Sequence, residues 1–542
     1  MKFTPLIIAA LASSAWSQCG ATGVDLVVAD VNAVTVFSNS GGVVALMPGI
    51  SLCNLGSAPA SWSSTTSDHP GVAFTLLRYH VEGGRGRFEA IGQSWVHHQS
   101  SALQQNLCCA CTPAGIGELG AGCSTVSSAS AVGQQGQLGL RGSIDPLTGS
   151  FPWPLGNPPP GNGADRRLQV ASLDLATPNA RYFLEAQVVS SDDAASGQGA
   201  NSASFREVIV GVGPTFALSG TTTVGSPAIT IWPTLDANAL VATSTVPSEG
   251  GTLRLAHSVT DIGDGFHAYE YALHCLDSHA GVRSFAVPLP PGVAVRGIEF
   301  RGPATHSGDP RDDAPWTSSL SNGRVTWFTQ DFATNPLANG LSFGTTFTFR
   351  FEASTPPAAT SIELARFRPG APDSWSVAAR GPSGIGVDAF CFGDGTGTAC
   401  PCANASAIGA GEGCLNSLGT GGRLARGGIA SIANDSFTLF GSGMPNSSAL
   451  YFQGTSTSGG GAGTVFGDGL RCAAGTVVRL GTETNVGSES MHPGPGDPAI
   501  SVAGAVIAGS TRVYQCWYRN AAAFCTVSTF NLTNGVATTW VP

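Results

Sequence analysis

Residues 91–123 concentrate the reactive side chains of this chain: Trp95, the adjacent pair His97 and His98, and Cys108, Cys109, Cys111 and Cys123. Neutral imidazole and thiolate are zinc donors, and zinc takes four of them in a tetrahedron. The spacing works against that chemistry. Cys108, Cys109 and Cys111 lack the two-residue gap with which paired cysteines grip one ion, and Cys123 lies further along a glycine-rich loop. Adjacent histidines point different ways on a strand or a helix, so one at most would serve. In an oxidising compartment such cysteines are disulfide partners first. The stretch is expected to be a structural knot around a buried Trp95.

Other constellations are weighed in the same way. Gly340-Leu-Ser-Phe-Gly344 matches a nucleophile-elbow motif, which needs a sharp strand-to-helix turn. Here an alternating strand follows it, so no hydrolase is read from it. His306, Asp309, Asp312 and Asp313 in one loop, and Asp192 with Asp193 in another, could offer oxygens to calcium, though neither follows EF-hand spacing. Asp394 and Asp468 stand in Gly-Asp-Gly turns, where turn chemistry accounts for them. Glu89, Glu185, Glu270 and Glu299 lie in or beside expected strands, and nothing selects two of them as a glycosidase pair. Trp153, Trp327, and Trp517 with Tyr518 could stack on sugars, against the alternative of core packing. No catalytic, cofactor-binding or metal residue is assigned.

The elements that carry these residues are short and mostly extended. Residues 25–30 and 43–46 read as strands around the turn at 39–42, and residues 182–189 and 204–210 as another pair. Residues 269–276, 283–289 and 345–352 alternate with period two. Phe347, Phe349 and Phe351 fall on one face there, with Thr348, Arg350 and Glu352 on the other. One helical spacing occurs, at Val96, Ser100, Leu103 and Leu107. Residues 151–163 carry five prolines and must be a loop. The fold class expected is mainly β, with two or three antiparallel sandwich-like domains, disulfide-stapled loops and a short helix. Its divisions are a signal peptide at 1–17, an N-terminal β-rich region at 18–248, a central sandwich at 249–386 and a disulfide-bearing β-domain at 387–542.

The first seventeen residues have the layout of a cleaved secretory signal, with Lys2, an apolar run and a small-x-small end. Gln18 and Trp16 do not fit acylation of Cys19. Fourteen cysteines in an exported chain imply disulfides. Seven precede residue 300 and seven follow 390, so either one bond joins the halves or two thiols stay free. Candidates in the second half are Cys400, Cys402 and Cys414, with Cys516 and Cys525 facing each other across a hairpin. Charged residues are only 11% of the chain, Lys2 is the sole lysine and the net charge is −10, which excludes nucleic acid as a partner. No later run is long and apolar enough to be a membrane-spanning helix.

Two sets of segments carry a family resemblance. Residues 86–98, 119–124, 166–170 and 191–210 form one set, and residues 391–402, 441–454 and 514–535 the other. Both resemble exported, cysteine-bearing, β-rich bacterial proteins without an assigned activity. The resemblance implies a secreted fold and implies no chemistry. The expected function is a non-catalytic extracellular or cell-surface protein with a structural or binding/adhesion role, its partners extracellular polysaccharide or cell-wall components. The alternative is a secreted hydrolase or a lectin-like sugar binder, with calcium as the one cofactor in view.

Overall fold

The computed structural model describes residues 19–541, apart from 99–100, 263–265, 291–292, 305–306, 384–388, 429, 434 and 521–523. The expected signal peptide and His306 lie outside the described residues. The fold is mainly β, with antiparallel strand pairing throughout its sheets and only short helical turns. The chain divides into two compact units. One holds residues up to 288 with 295–353 and 361–381, and the other holds 289–294, 354–360 and the chain from 382 onward.

The first unit begins with an eleven-stranded sheet whose long strands are Leu26–Ser40, Val43–Asn54, Gly71–Glu82, Arg85–Gln93 and Arg181–Val189. The Val/Leu/Ile runs of these strands place Leu26, Val28, Leu46, Leu52, Phe74, Leu76 and Leu184 in one apolar cluster. Residues 240–382 build two five-stranded sheets. His267–Cys275 and Thr346–Ala353 are neighbours in one, and Val282–Pro288 and Arg324–Phe328 are neighbours in the other. The period-two pattern aims Phe349 and Phe351 at the opposing sheet. Phe349 stacks on Phe285 at 4.1 Å and Phe351 lies 6.1 Å from Trp327 across the gap, while Tyr269 stacks on Phe351 at 5.0 Å from the neighbouring strand of the same sheet.

The second unit centres on a six-stranded sheet that includes Ser448–Gly454, Val478–Thr484, Thr511–Arg519 and Gly535–Thr539. Tyr451, Tyr514, Tyr518 and Trp540 fill its core.

Six disulfides tie the loops. In the first unit they join Cys19 to Cys109, Cys53 to Cys108 and Cys111 to Cys123. In the second they join Cys391 to Cys472, Cys400 to Cys414 and Cys402 to Cys525. Cys275 and Cys516 are the two free thiols, one in each half, and both are buried. The hairpin pairing expected of Cys516 is therefore corrected. Cys516 points into the apolar core beside Met444, while Cys525 lies beyond the strand and reaches Cys402.

The helix expected from Val96 to Leu107 is also corrected. Val96–His98 is a strand, paired with Gly71–Glu82 and with Leu138–Gly139. Leu103 and Leu107 are half exposed, so no apolar helical stripe is buried. Three disulfides at Cys108, Cys109 and Cys111 hold this segment against its neighbours, and tertiary ties override weak local spacing. The knot is tight enough to require glycine. Gly122 has φ +72°, and a Cβ there would lie 2.3 Å from the Ala110 carbonyl oxygen.

Candidate ligand-binding groove

The histidine pair is buried. His97 and His98 are each 2% exposed, with Trp95 beside them under the Arg166 guanidinium at 5.0 Å. His98 packs 4.4 Å from Phe151 and 5.4 Å from His69. Burial, with His69 adding to it, drives both imidazoles down to about 3, so they are neutral at physiological pH. They act as shaped packing groups. Because the folded value lies below the unfolded one near 6.5, their contribution is present above pH 6.5 and is lost as pH falls toward 3. Replacing His98 by Phe should make the fall of stability with acid shallower by about 1.4 kcal/mol per pH unit in that window. Urea denaturation of both proteins at pH 7 and pH 5 measures it; parallel losses would contradict the assignment.

Of the four glutamates, three come together as an ion-pair network. Arg350 Nε lies 2.8 Å from Glu270, its Nη1 lies 3.2 Å from Glu299, and its Nη2 pairs with Glu89. Arg78 holds Glu89 at 2.5 Å and Arg87 holds Glu270 at 3.2 Å. Carboxylates so occupied by guanidinium groups are not free to act as an acid and base across a cleft. Glu185 is apart from them, accepting from the Ala228 amide at 2.6 Å. Burial raises its carboxyl to about 7 and drives nearby His274 down to about 3, so their 3.9 Å approach is not an ion pair.

The remaining sequence candidates resolve as follows. Asp309 accepts from the Arg311 side chain and amide, Asp312 from Ala314, Asp192 from Ser61 and Asp193 from Leu26. Ser342 of the elbow-like motif accepts from Arg311 at 2.7 Å, and a strand follows it. Asp394 caps its own turn through Thr396, as turn chemistry expects. Asp468 is fully buried and accepts from Asn520 and Thr526, anchoring a loop as well as its turn. Trp327 and Tyr518 are core residues, and Trp153 packs on His69.

Trp517 is different. On Ser448–Gly454, Ala449 and Tyr451 turn into one core while Leu450 and Phe452 turn to the opposite face, where Phe452 is buried with Val513 and Leu532. Trp517 lies opposite Leu450 on one neighbouring strand, and Thr482 lies opposite it on the other. Arg479 stands opposite Phe452 in the same row. This outer face floors an open groove of about 640 Å³, walled by Phe466, Arg471, Val477 and Leu532. Phe530 backs it, 5.3 Å from Trp517 and 4.9 Å from Phe466, and the Arg519 guanidinium covers Trp517 at 5.2 Å. The Phe466–Gly–Asp–Gly turn brings Phe466 close, with Gly467 at φ +62° where a Cβ would strike the Phe530 ring at 2.2 Å.

No family model and no curated protein matches the chain. Among solved structures it is similar to the fimbrial adhesin FimA of Actinomyces, at 10% identity and a TM-score of 0.13, over 56% of this chain and 98% of that one. It is also similar to the major pilin SpaD of Corynebacterium diphtheriae, at 9% identity and a TM-score of 0.16, over 70% and 80%. A third is Salmonella alpha-2-macroglobulin reacted with methylamine, at 10% and 0.13, over 94% of this chain and 33% of that one. None of these values carries an argument about function.

What the groove offers is chemical. Flat aromatic faces stack on apolar rings or on the C–H faces of sugars, and guanidinium and hydroxyl groups hydrogen-bond to oxygens around them. Among its described lining residues there is no carboxylate and no imidazole. Sequence reasoning reached Trp517 and missed Phe466, Arg471, Arg479 and Phe530. Phe-Gly-Asp-Gly occurs twice, at 392–395 and 466–469, and was the available signal for Phe466; the others converge only through sheet pairing.

Proposed function

We propose that the protein acts outside the cell as a non-catalytic binding protein, and that the Trp517 groove takes a polysaccharide chain. The observation that carries the reading is the Trp517, Phe530 and Phe466 cluster, open to solvent beside Arg471 and Arg479. Six disulfides support an oxidising, extracellular setting. The described lining offers aromatic, guanidinium and hydroxyl groups without a carboxylate or imidazole, which favours retention of a ligand over its hydrolysis. The protein should be retained on insoluble polysaccharide or cell-wall material, and Trp517→Ala should weaken that retention about two- to tenfold, the loss of one stacked ring. Depletion assays on the two proteins measure it. Equal retention by the variant would remove the groove from the reading, and no retention by either would leave a structural role.

A further inference from the structure

On the face of Val478–Thr484 opposite Arg479 and Thr482, Glu483 meets two residues that the sequence reading passed over. His492 Nδ1 lies 2.9 Å from Glu483 Oε1 and 3.5 Å from Asp497 Oδ2. The donor atoms of all three residues lie within 4.8 Å of one another. The imidazole is fully buried and firmly seated. It stacks on Tyr451 at 5.6 Å, and a Cβ on Gly481 would lie 2.4 Å from its Cε1. Its Nε2 is enclosed without a hydrogen-bond partner, so its polar contacts all run through Nδ1, toward the carboxylates.

Around Arg350, clustered acids are neutralised by arginine. Among the described residues, the ion-pair partner of Glu483 and of Asp497 is His492 alone. The two carboxyl groups present oxygens within 4.8 Å of each other, an arrangement of like charges that a cation between them would relieve. The loop that returns Asp497 positions it through the Gly494 amide, which donates to Oδ2 at 3.0 Å. A Cβ on Gly494 would lie 3.0 Å from Glu483 Oε2 and 3.3 Å from Asp497 Oδ2, so glycine leaves the space between them clear.

We propose that Glu483, His492 and Asp497 form a binding site for a divalent transition-metal cation of the zinc class. Zinc donors at about 2.0–2.2 Å in a tetrahedron stand about 3.3–3.6 Å apart; the 3.5 Å from Nδ1 to Asp497 falls in that range, and the 2.9 Å to Glu483 would open by about 0.4 Å around an ion. One imidazole with two carboxylates favours zinc-class ions over calcium or magnesium, which prefer oxygen donors alone. Glu483 and Asp497 are partly exposed, so the remaining coordination position faces water. Bound there, the cation ties the loop around Gly494 to the strand whose other face forms part of the groove.

The test is isothermal titration of the whole mature protein, stripped with chelator, using zinc chloride and, separately, calcium chloride. The expected result is one saturable zinc site, weakened at least about tenfold in Asp497→Asn and in Glu483→Gln, and unchanged in Trp517→Ala. Asp497 and Glu483 are partly exposed, so these variants keep the fold even where His492→Gln does not. No saturable zinc binding, equal binding by wild type and both variants, or calcium binding in place of zinc would each overturn the proposal. Because Trp517 stands in one row with Leu450 and Thr482 on the face of the sheet opposite Glu483, loss of polysaccharide retention and loss of zinc binding are read independently.

Discussion

Arg350→Ala should lower the unfolding free energy of the first unit by about 3–5 kcal/mol, the loss expected when one member of a buried ion-pair network is removed. Arg350 is surrounded by Glu89, Glu270 and Glu299, and its side chain is 9% exposed. Without it, Glu89 keeps Arg78 and Glu270 keeps Arg87, but each is left with charge in a poorly solvated place. The network joins the N-terminal sheet, through Arg78, Arg87 and Glu89, to the sandwich, through Glu270, Glu299 and Arg350. Its loss would therefore loosen the seam between them. Arg324→Ala is the control, since its pair with Glu363 is more than 40% exposed on both sides and is worth about 0–1 kcal/mol. Urea unfolding of the two variants measures the contrast. Similar small losses for both would mean that the buried network holds nothing together.

The second large effect belongs to the disulfide from Cys402 to Cys525. It closes a sequence separation of 123, against 14 for Cys400 to Cys414. In the chain-entropy view a longer closed loop restricts the unfolded state more. Replacing Cys402 and Cys525 together by serine should cost about 5 kcal/mol, and replacing Cys400 and Cys414 about 3 kcal/mol. Guanidinium unfolding of the second unit would show the order of the two double variants. A reversed order would place the benefit in native packing around Cys400 and Cys414 instead. The free thiol of Cys516 should stay unreactive until unfolding, because burial pushes it well above its ordinary range.

Much of the architecture was legible locally. Period-two alternation marks Thr346–Ala353 as a strand with Phe347, Phe349 and Phe351 on one face, because successive side chains on a strand point to opposite sides. Cysteine content in a chain read as exported pointed to disulfides, and the five-proline segment to a loop. These readings depend on a few consecutive residues, and local sterics are enough to make them.

What lies against each face was not local. Arg350, on the face that reads as solvent-exposed, meets Glu89 some 261 residues away, because a second sheet covers the sandwich there. Trp327 and Trp517 carry the same side chain in similar strand contexts, yet one is buried between sheets and the other floors a groove. Cys525 finds Cys402 and not the nearer Cys516 because strand direction turns Cys516 into the core. His492 stands near Glu483 and Asp497 in the chain, but it becomes part of a site only when a buried ring against Gly481 aims Nδ1 between two carboxylates. By itself the sequence determined strands, turns and the expectation of export. The tertiary structure decided which faces are covered and which side chains converge, since those depend on pairings between segments that no local pattern encodes.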